Sequence, residues 1–189
     1  MSSVFCLRLT GETMANIYFF SGPCGCGKTT LSNAFAEQLA NNIPANQVYV
    51  IHGDEFHAGF VEAADKEPLL PWNDILKFNW DCILTVTQKA LDRGLDVVID
   101  YVIEDELPLV KMLAEEYSAN LYYVVLTASE NTIRQRITKR GDVELTDRAL
   151  FLKNKLDSMP ENQGHLFDNT GMLVDEELEQ LQISKFIVN

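Results

Sequence analysis

Gly22-Pro23-Cys24-Gly25-Cys26-Gly27-Lys28-Thr29 is the stretch on which the reading of this chain turns. It matches G-x-x-x-x-G-K-[ST] at every fixed position, a pattern whose glycine-rich loop wraps an anion in backbone N–H groups. Glycines at 22, 25 and 27 let the backbone turn several of those groups toward one point. The apolar run Ile17-Tyr18-Phe19-Phe20 stands before the loop, and Leu31, Phe35 and Leu39 share one helical face after it. A helix starting near Lys28 aims its orphan N–H donors and the positive end of its dipole at the same place. Gly22, Gly25, Cys26, Gly27, Lys28, Thr29 and Thr30 are therefore expected to cradle a phosphate chain, with Lys28 reaching the β- and γ-phosphates and the Thr29 hydroxyl on Mg²⁺. A nucleoside triphosphate is the expected ligand.

Working outward, 189 residues with 47% hydrophobic content suffice for one domain with a buried core. Fifteen Lys+Arg against 28 Asp+Glu leave a net charge of -13, which argues against a nucleic-acid partner and against an anionic membrane surface. No apolar stretch approaches the length of a membrane span, so a cytoplasmic protein, monomer or homodimer, is expected. Residues 1–13 read as an N-terminal extension to a single domain over 14–189. Cys6, Cys24, Cys26 and Cys82 show no metal-ligand spacing and read as free thiols. Lys28 and the helix start are expected to lower the pKa of the two loop cysteines, exposing them to oxidation.

Beyond the loop, strands and helices alternate. The segment 41–44 stops the first helix, 47–51 reads as a second strand, and a looser stretch runs from 52 to Pro71. A helix is expected over 72–91, a strand over 95–100, a helix over 105–117 and a strand over 121–126. A basic helix over 129–140, a further helical stretch, a short strand near 165–167 and a last helix near Asp175 complete the order. Such alternation predicts an α/β fold with a five-stranded parallel sheet covered on both faces, binding ligand at the strand carboxyl ends.

Two carboxylates fall at those ends. Asp54 follows the second strand and is the candidate base for an attacking hydroxyl; Asp100 closes the third and is the candidate Mg²⁺ or substrate ligand. His57 and Trp80 are candidate substrate contacts, beside the weaker Trp72, Phe78 and His52. Seven of the 15 basic residues lie between Arg134 and Lys155. Arg136 and Arg140 fall on one face of a helix whose other face carries Ile133 and Ile137, and both are expected to clamp phosphates as part of a small lid over about 136–148.

On these residues the chain resembles the P-loop small-molecule kinases, and within them the gluconate kinase and shikimate kinase-like group. Gly53-Asp54-Glu55-Phe56-His57 is similar to the group's G-D-x-x-H, Pro71-Trp72 to its P-W, and Arg136-Ile137-Thr138-Lys139-Arg140 to its R-x-x-x-R. The resemblance implies a three-layer P-loop NTPase fold of kinase type, ATP and Mg²⁺ as cofactors, and transfer of the γ-phosphoryl to a small hydroxylated acceptor such as a sugar acid. It also implies that Thr170, in Asp168-Asn169-Thr170, lies where the loop after the last strand touches adenine. The chain departs from the group at Lys66-Glu67-Pro68-Leu69-Leu70 and at Asp100-Tyr101, so the acceptor's identity does not carry over.

Three other readings compete. Asn154-Lys155-Leu156-Asp157 matches the guanine-reading N-K-x-D of GTPase switches, but Asp100-Tyr101-Val102-Ile103 lacks the D-x-x-G that accompanies it, and Leu145, Ala149, Leu152 and Leu156 mark a helix there. A nucleotide-binding regulator differs from a kinase only in turnover. A nucleic-acid end kinase requires a basic groove that net acidity disfavours.

Overall fold

The apolar runs form five parallel strands, β1 (Asn16–Ser21), β2 (Val48–His52), β3 (Asp96–Asp100), β4 (Asn120–Thr127) and β5 (Leu166–Asp168), in the spatial order β2-β3-β1-β4-β5. This is a computed structural model, and it describes residues 14–42, 47–61 and 70–188. The 1–13 extension, Cys6, the end of the helix stop at 43–44 and the 66–69 departure lie outside the described residues. Helices α1 (Lys28–Asn42), α2 (Gly53–Ala58), α3 (Trp72–Leu91), α4 (Leu107–Glu116), α5 (Glu130–Arg140), α6 (Thr146–Ser158) and α7 (Val174–Gln180) join the strands. No helix among the described residues is long and apolar enough to cross a membrane.

Alternate residues of the central strands feed opposite faces, as the two-residue strand period requires. Ile17 and Phe19 of β1, with Val97, Ile99, Leu121, Tyr123 and Val125, pack against α3, α4 and Leu156 of α6. Tyr18, Phe20, Val98, Val124 and Leu126 pack on the other face against Leu31 and Phe35 of α1 and against Leu178 of α7. Three layers result, which is the expected α/β architecture.

The register places the site. Phe20 pairs with Asp100 and His52 pairs with Asp100, so β1, β2 and β3 end level and the segments that follow them emerge side by side. From β1 the chain passes outward to β2, returns to β3 and then crosses β1 to reach β4. That reversal opens a crevice at the carboxyl ends.

Some expectations change. The stretch after β2 is not loose throughout: Gly53–Ala58 is a helical turn with Asp54 and Glu55 in its first turn, where acidic side chains complement the dipole. Gly53 is required there by space, because a Cβ would lie 2.5 Å from the Tyr101 ring. Trp80, expected at the substrate, is buried in the core instead. Its ring stacks on Phe19 at 6.0 Å between centroids and meets Tyr101 edge-on at 5.5 Å. An aromatic at helical spacing went to the larger apolar surface, that of the sheet.

His165, just before β5, donates from Nδ1 to the Tyr123 carbonyl at 2.9 Å, and burial pushes its pKa below 6.5. The unfolded chain therefore takes up a proton there before the folded chain does. The stability carried by the neutral ring is present above pH 6.5 and lost as pH falls through the folded value. Denaturation midpoints measured from neutral pH downward are expected to fall less steeply in His165→Gln than in the parent, and equal slopes would refute the assignment.

Candidate functional site

Between β1 and α1 the glycine loop takes the form its sequence requires. Gly22 has φ 138°, and a Cβ on it would lie 2.4 Å from the Leu126 carbonyl oxygen, so only glycine fits. Lys28 Nζ donates to the Pro23 carbonyl at 3.1 Å, which holds the ammonium across the loop. Cys24, Cys26 and Cys82 are free thiols. The expected lowering at Cys26 is reversed: its side chain is fully buried, and burial outweighs the Lys28 charge to push the thiol pKa up.

The level strand ends bring Thr29 and Asp100 together. Thr29 Oγ1 donates to Asp100 Oδ2 at 2.5 Å, while the other carboxylate oxygen is bonded to His52 Nδ1. His52 thus belongs to Asp100, and its place at the last position of β2, opposite Asp100, is what sequence reading had no means to pair. Among the described residues no group of three or more His, Cys, Asp or Glu is placed to hold a metal by itself. A hydroxyl and a carboxylate do suit Mg²⁺, which keeps several waters and takes the rest of its oxygen ligands from phosphates.

A cleft of about 890 Å³ opens over the loop. Gly22, Gly25, Gly27, Lys28, Thr29 and Thr30 of the loop and α1 line it together with Asp54, His57, Trp72, Tyr101 and Glu104. Asp54 is exposed to the cleft in the first turn of α2, and His57 packs edge-on against Trp72 at 4.8 Å between ring centroids. Below this wall Asn79 Nδ2 donates to the Tyr101 hydroxyl at 3.1 Å. Phe78 is outside the cleft lining and packs against Phe60.

Arg136, Lys139, Arg140 and Arg148 face the cleft from α5 and α6. Ser129 caps α5 by accepting from the Thr132 N–H at 3.2 Å, and Gly141 ends it with φ 93°. The region read as a lid is compact: the second half of α5, Gly141, a 3-10 turn at Val143–Leu145 and the start of α6. Arg140 is bonded to Asp142 and donates to Cys24 Sγ at 2.8 Å. Arg148 and Lys155 both engage Glu104, and Lys153 reaches Asp157 at 2.5 Å. Part of the basic cluster therefore has structural partners.

Arg136 NH1 donates to the Cys26 carbonyl at 2.9 Å and to Asn169 Oδ1 at 3.2 Å. The resemblance placed Asn169 only within the Asp168-Asn169-Thr170 loop expected at adenine, so its contact with the phosphate loop was missed, and no motif marks Glu177. Thr170, expected at adenine, is outside the cleft lining. Its hydroxyl accepts from the Ser129 N–H at 2.7 Å, and the neighbouring Met172, Leu173 and Val174 reach the cleft instead. Asn154-Lys155-Leu156-Asp157 lies inside α6 with Leu156 buried, and its Lys155 and Asp157 side chains are bonded to Glu104 and Lys153.

A glycine nest at the tip of the central strand, an α1 N-terminus behind it and the order β2-β3-β1-β4-β5 define a P-loop protein with the α/β kinase-like fold. The chain belongs to the AAA domain family, whose sequence model matches residues 17–162. No curated protein matches the chain. Among solved structures, the APS kinase of Mycobacterium tuberculosis superposes with a TM-score of 0.66 at 16% identity, over 92% of this chain and 99% of that one. A gluconokinase from Sinorhizobium meliloti gives 0.56 at 17% identity, over 93% of each chain. A sugar kinase from a Janibacter species gives 0.58 at 15% identity, over 91% of this chain and 95% of that one. At these identities the likeness is one of fold.

Proposed function

We propose that this chain is an ATP-dependent kinase that moves the γ-phosphoryl group to a hydroxyl of a small molecule. The observation that carries the reading is one cleft lined both by the phosphate cradle and by the exposed Asp54 carboxylate. Solved structures of similar fold that are described as kinases support it. The helical setting of the N-K-x-D match removes the sequence argument for GTP.

Phosphoryl transfer asks mainly for positioning and charge neutralisation. Asp54 accepts the proton of the acceptor hydroxyl as its oxygen forms a bond to the γ-phosphorus. The bond from that phosphorus to the bridging oxygen breaks, and its electron pair leaves with ADP. Lys28 and the backbone N–H groups of residues 25–28 neutralise charge on the phosphates, with Arg136 and Arg140 approaching from α5. Thr29 and Asp100 would hold Mg²⁺, which would supply positive charge to offset that of the phosphates. His57 and Trp72 form a wall against which the acceptor lies.

The test is a panel of sugar acids, sugars, nucleosides and hydroxylated antibiotics screened for acceptor-dependent ADP release. At least one acceptor class is expected to raise release above the acceptor-free rate. A panel without any such response, alongside normal ATP binding, would favour the regulator reading. A strong preference for GTP would overturn the choice of nucleotide.

A further inference from the structure

The Cys26 carbonyl, in the middle of the loop, accepts two side-chain hydrogen bonds from outside it. Arg136 NH1 reaches it at 2.9 Å and Asn169 Nδ2 at 2.8 Å. Both donors come from distant parts of the chain, and Asn169 is fully buried. The engagement matters because the peptide joining Cys26 to Gly27 is planar and trans, so its C=O and N–H point in opposite directions. A carbonyl held toward Asn169 sends the Gly27 N–H the other way, and Gly27 is part of the cleft lining.

The orientation of the Asn169 carboxamide is determined by its surroundings. Nδ2 also donates to Glu177 Oε1 at 3.0 Å, and Oδ1 accepts from Arg136 at 3.2 Å. A flipped amide would put its oxygen against a carboxylate and a carbonyl and its nitrogen against a guanidinium, leaving these bonds unmade. Glu177, on α7, is 5% exposed and lies 3.9 Å from Arg136 NH2. Buried polar groups hold a unique arrangement only when each is satisfied, and here a donor and an acceptor flank the amide on the correct sides.

We propose that Asn169 and Glu177 are positioning residues of the phosphate cradle: they hold the Cys26 carbonyl outward so that the Gly27 N–H faces the anion before it arrives. Arg136, which lines the cleft and donates to the Cys26 carbonyl and to Asn169, is the third member of this network. The fixed orientation removes the reorganisation that a free loop would undergo on binding. The inference rests on the reading of the loop as a phosphate site and is independent of what receives the phosphoryl group.

Calorimetric titration with inorganic tripolyphosphate and with magnesium-ATP tests it, with thermal melting of the ligand-free protein in parallel. Asn169→Asp puts a carboxylate where donors are needed, and it is expected to weaken both ligands by the same factor, about tenfold to about a hundredfold. The KM for the acceptor is expected to stay unchanged. Glu177→Gln keeps an acceptor oxygen for Asn169 and is expected to bind within about threefold of the parent, whereas Glu177→Leu follows Asn169→Asp. Unchanged tripolyphosphate affinity in Asn169→Asp would overturn the proposal. If that variant does not fold, the Glu177 pair decides, and equal affinities in the Gln and Leu variants would overturn it. A parent protein that binds tripolyphosphate yet phosphorylates no acceptor would sink the kinase reading and leave this inference standing.

Discussion

Asp54→Asn is expected to lower acceptor-dependent ADP release by about 10²- to about 10⁴-fold while magnesium-ATP affinity stays within about threefold. The substitution conserves size and keeps a hydrogen-bonding oxygen, so the acceptor still finds a partner. It removes the group able to take the hydroxyl proton. Because Asp54 is exposed to the cleft in the first turn of α2, the change leaves no hole in the core. The loss should therefore appear in kcat with little change in the acceptor KM. Steady-state kinetics on the acceptor identified by the panel measure it, and an unchanged kcat would remove Asp54 from the mechanism.

Lys28→Met has a comparably large expected effect by a different route. The methionine retains much of the aliphatic stem and removes the ammonium that the Pro23 carbonyl holds over the loop. Loss of one preorganised positive group at a developing phosphate charge costs about 10²- to about 10³-fold in turnover. Lys28 also binds the ground-state triphosphate, so the ATP affinity should fall as well, which separates this variant from Asp54→Asn. Calorimetry and kinetics on the same preparation give the split. Parental ATP affinity in Lys28→Met would place the phosphates elsewhere in the cleft.

Much of the architecture was legible because it depends on neighbours in the chain. Apolar runs of strand length, alternating with helical stretches, placed all five strands within a residue or two of their observed limits. Gly53–Ala58 escaped notice because six residues are too few to display a helical period. Trp80 was misplaced for a related reason: spacing showed that it shares a helix face with apolar residues without showing that the face meets Phe19. Thr170 was assigned by resemblance to a loop whose hydroxyl, in this fold, is taken by Ser129.

What the sequence alone determined is the phosphate cradle and the parallel α/β frame, since both follow from contiguous residues: glycines that permit one loop shape, and periodicities that select strand or helix. Tertiary structure decided which side chains hold that cradle in place. Asn169 meets Cys26 across 143 positions and His52 meets Asp100 across 48, and such pairs depend on strand order and register. A linear pattern carries the chemistry of each residue but not the sheet geometry that brings β3 between β1 and β2, and it is this geometry that levels the strand ends around one anion.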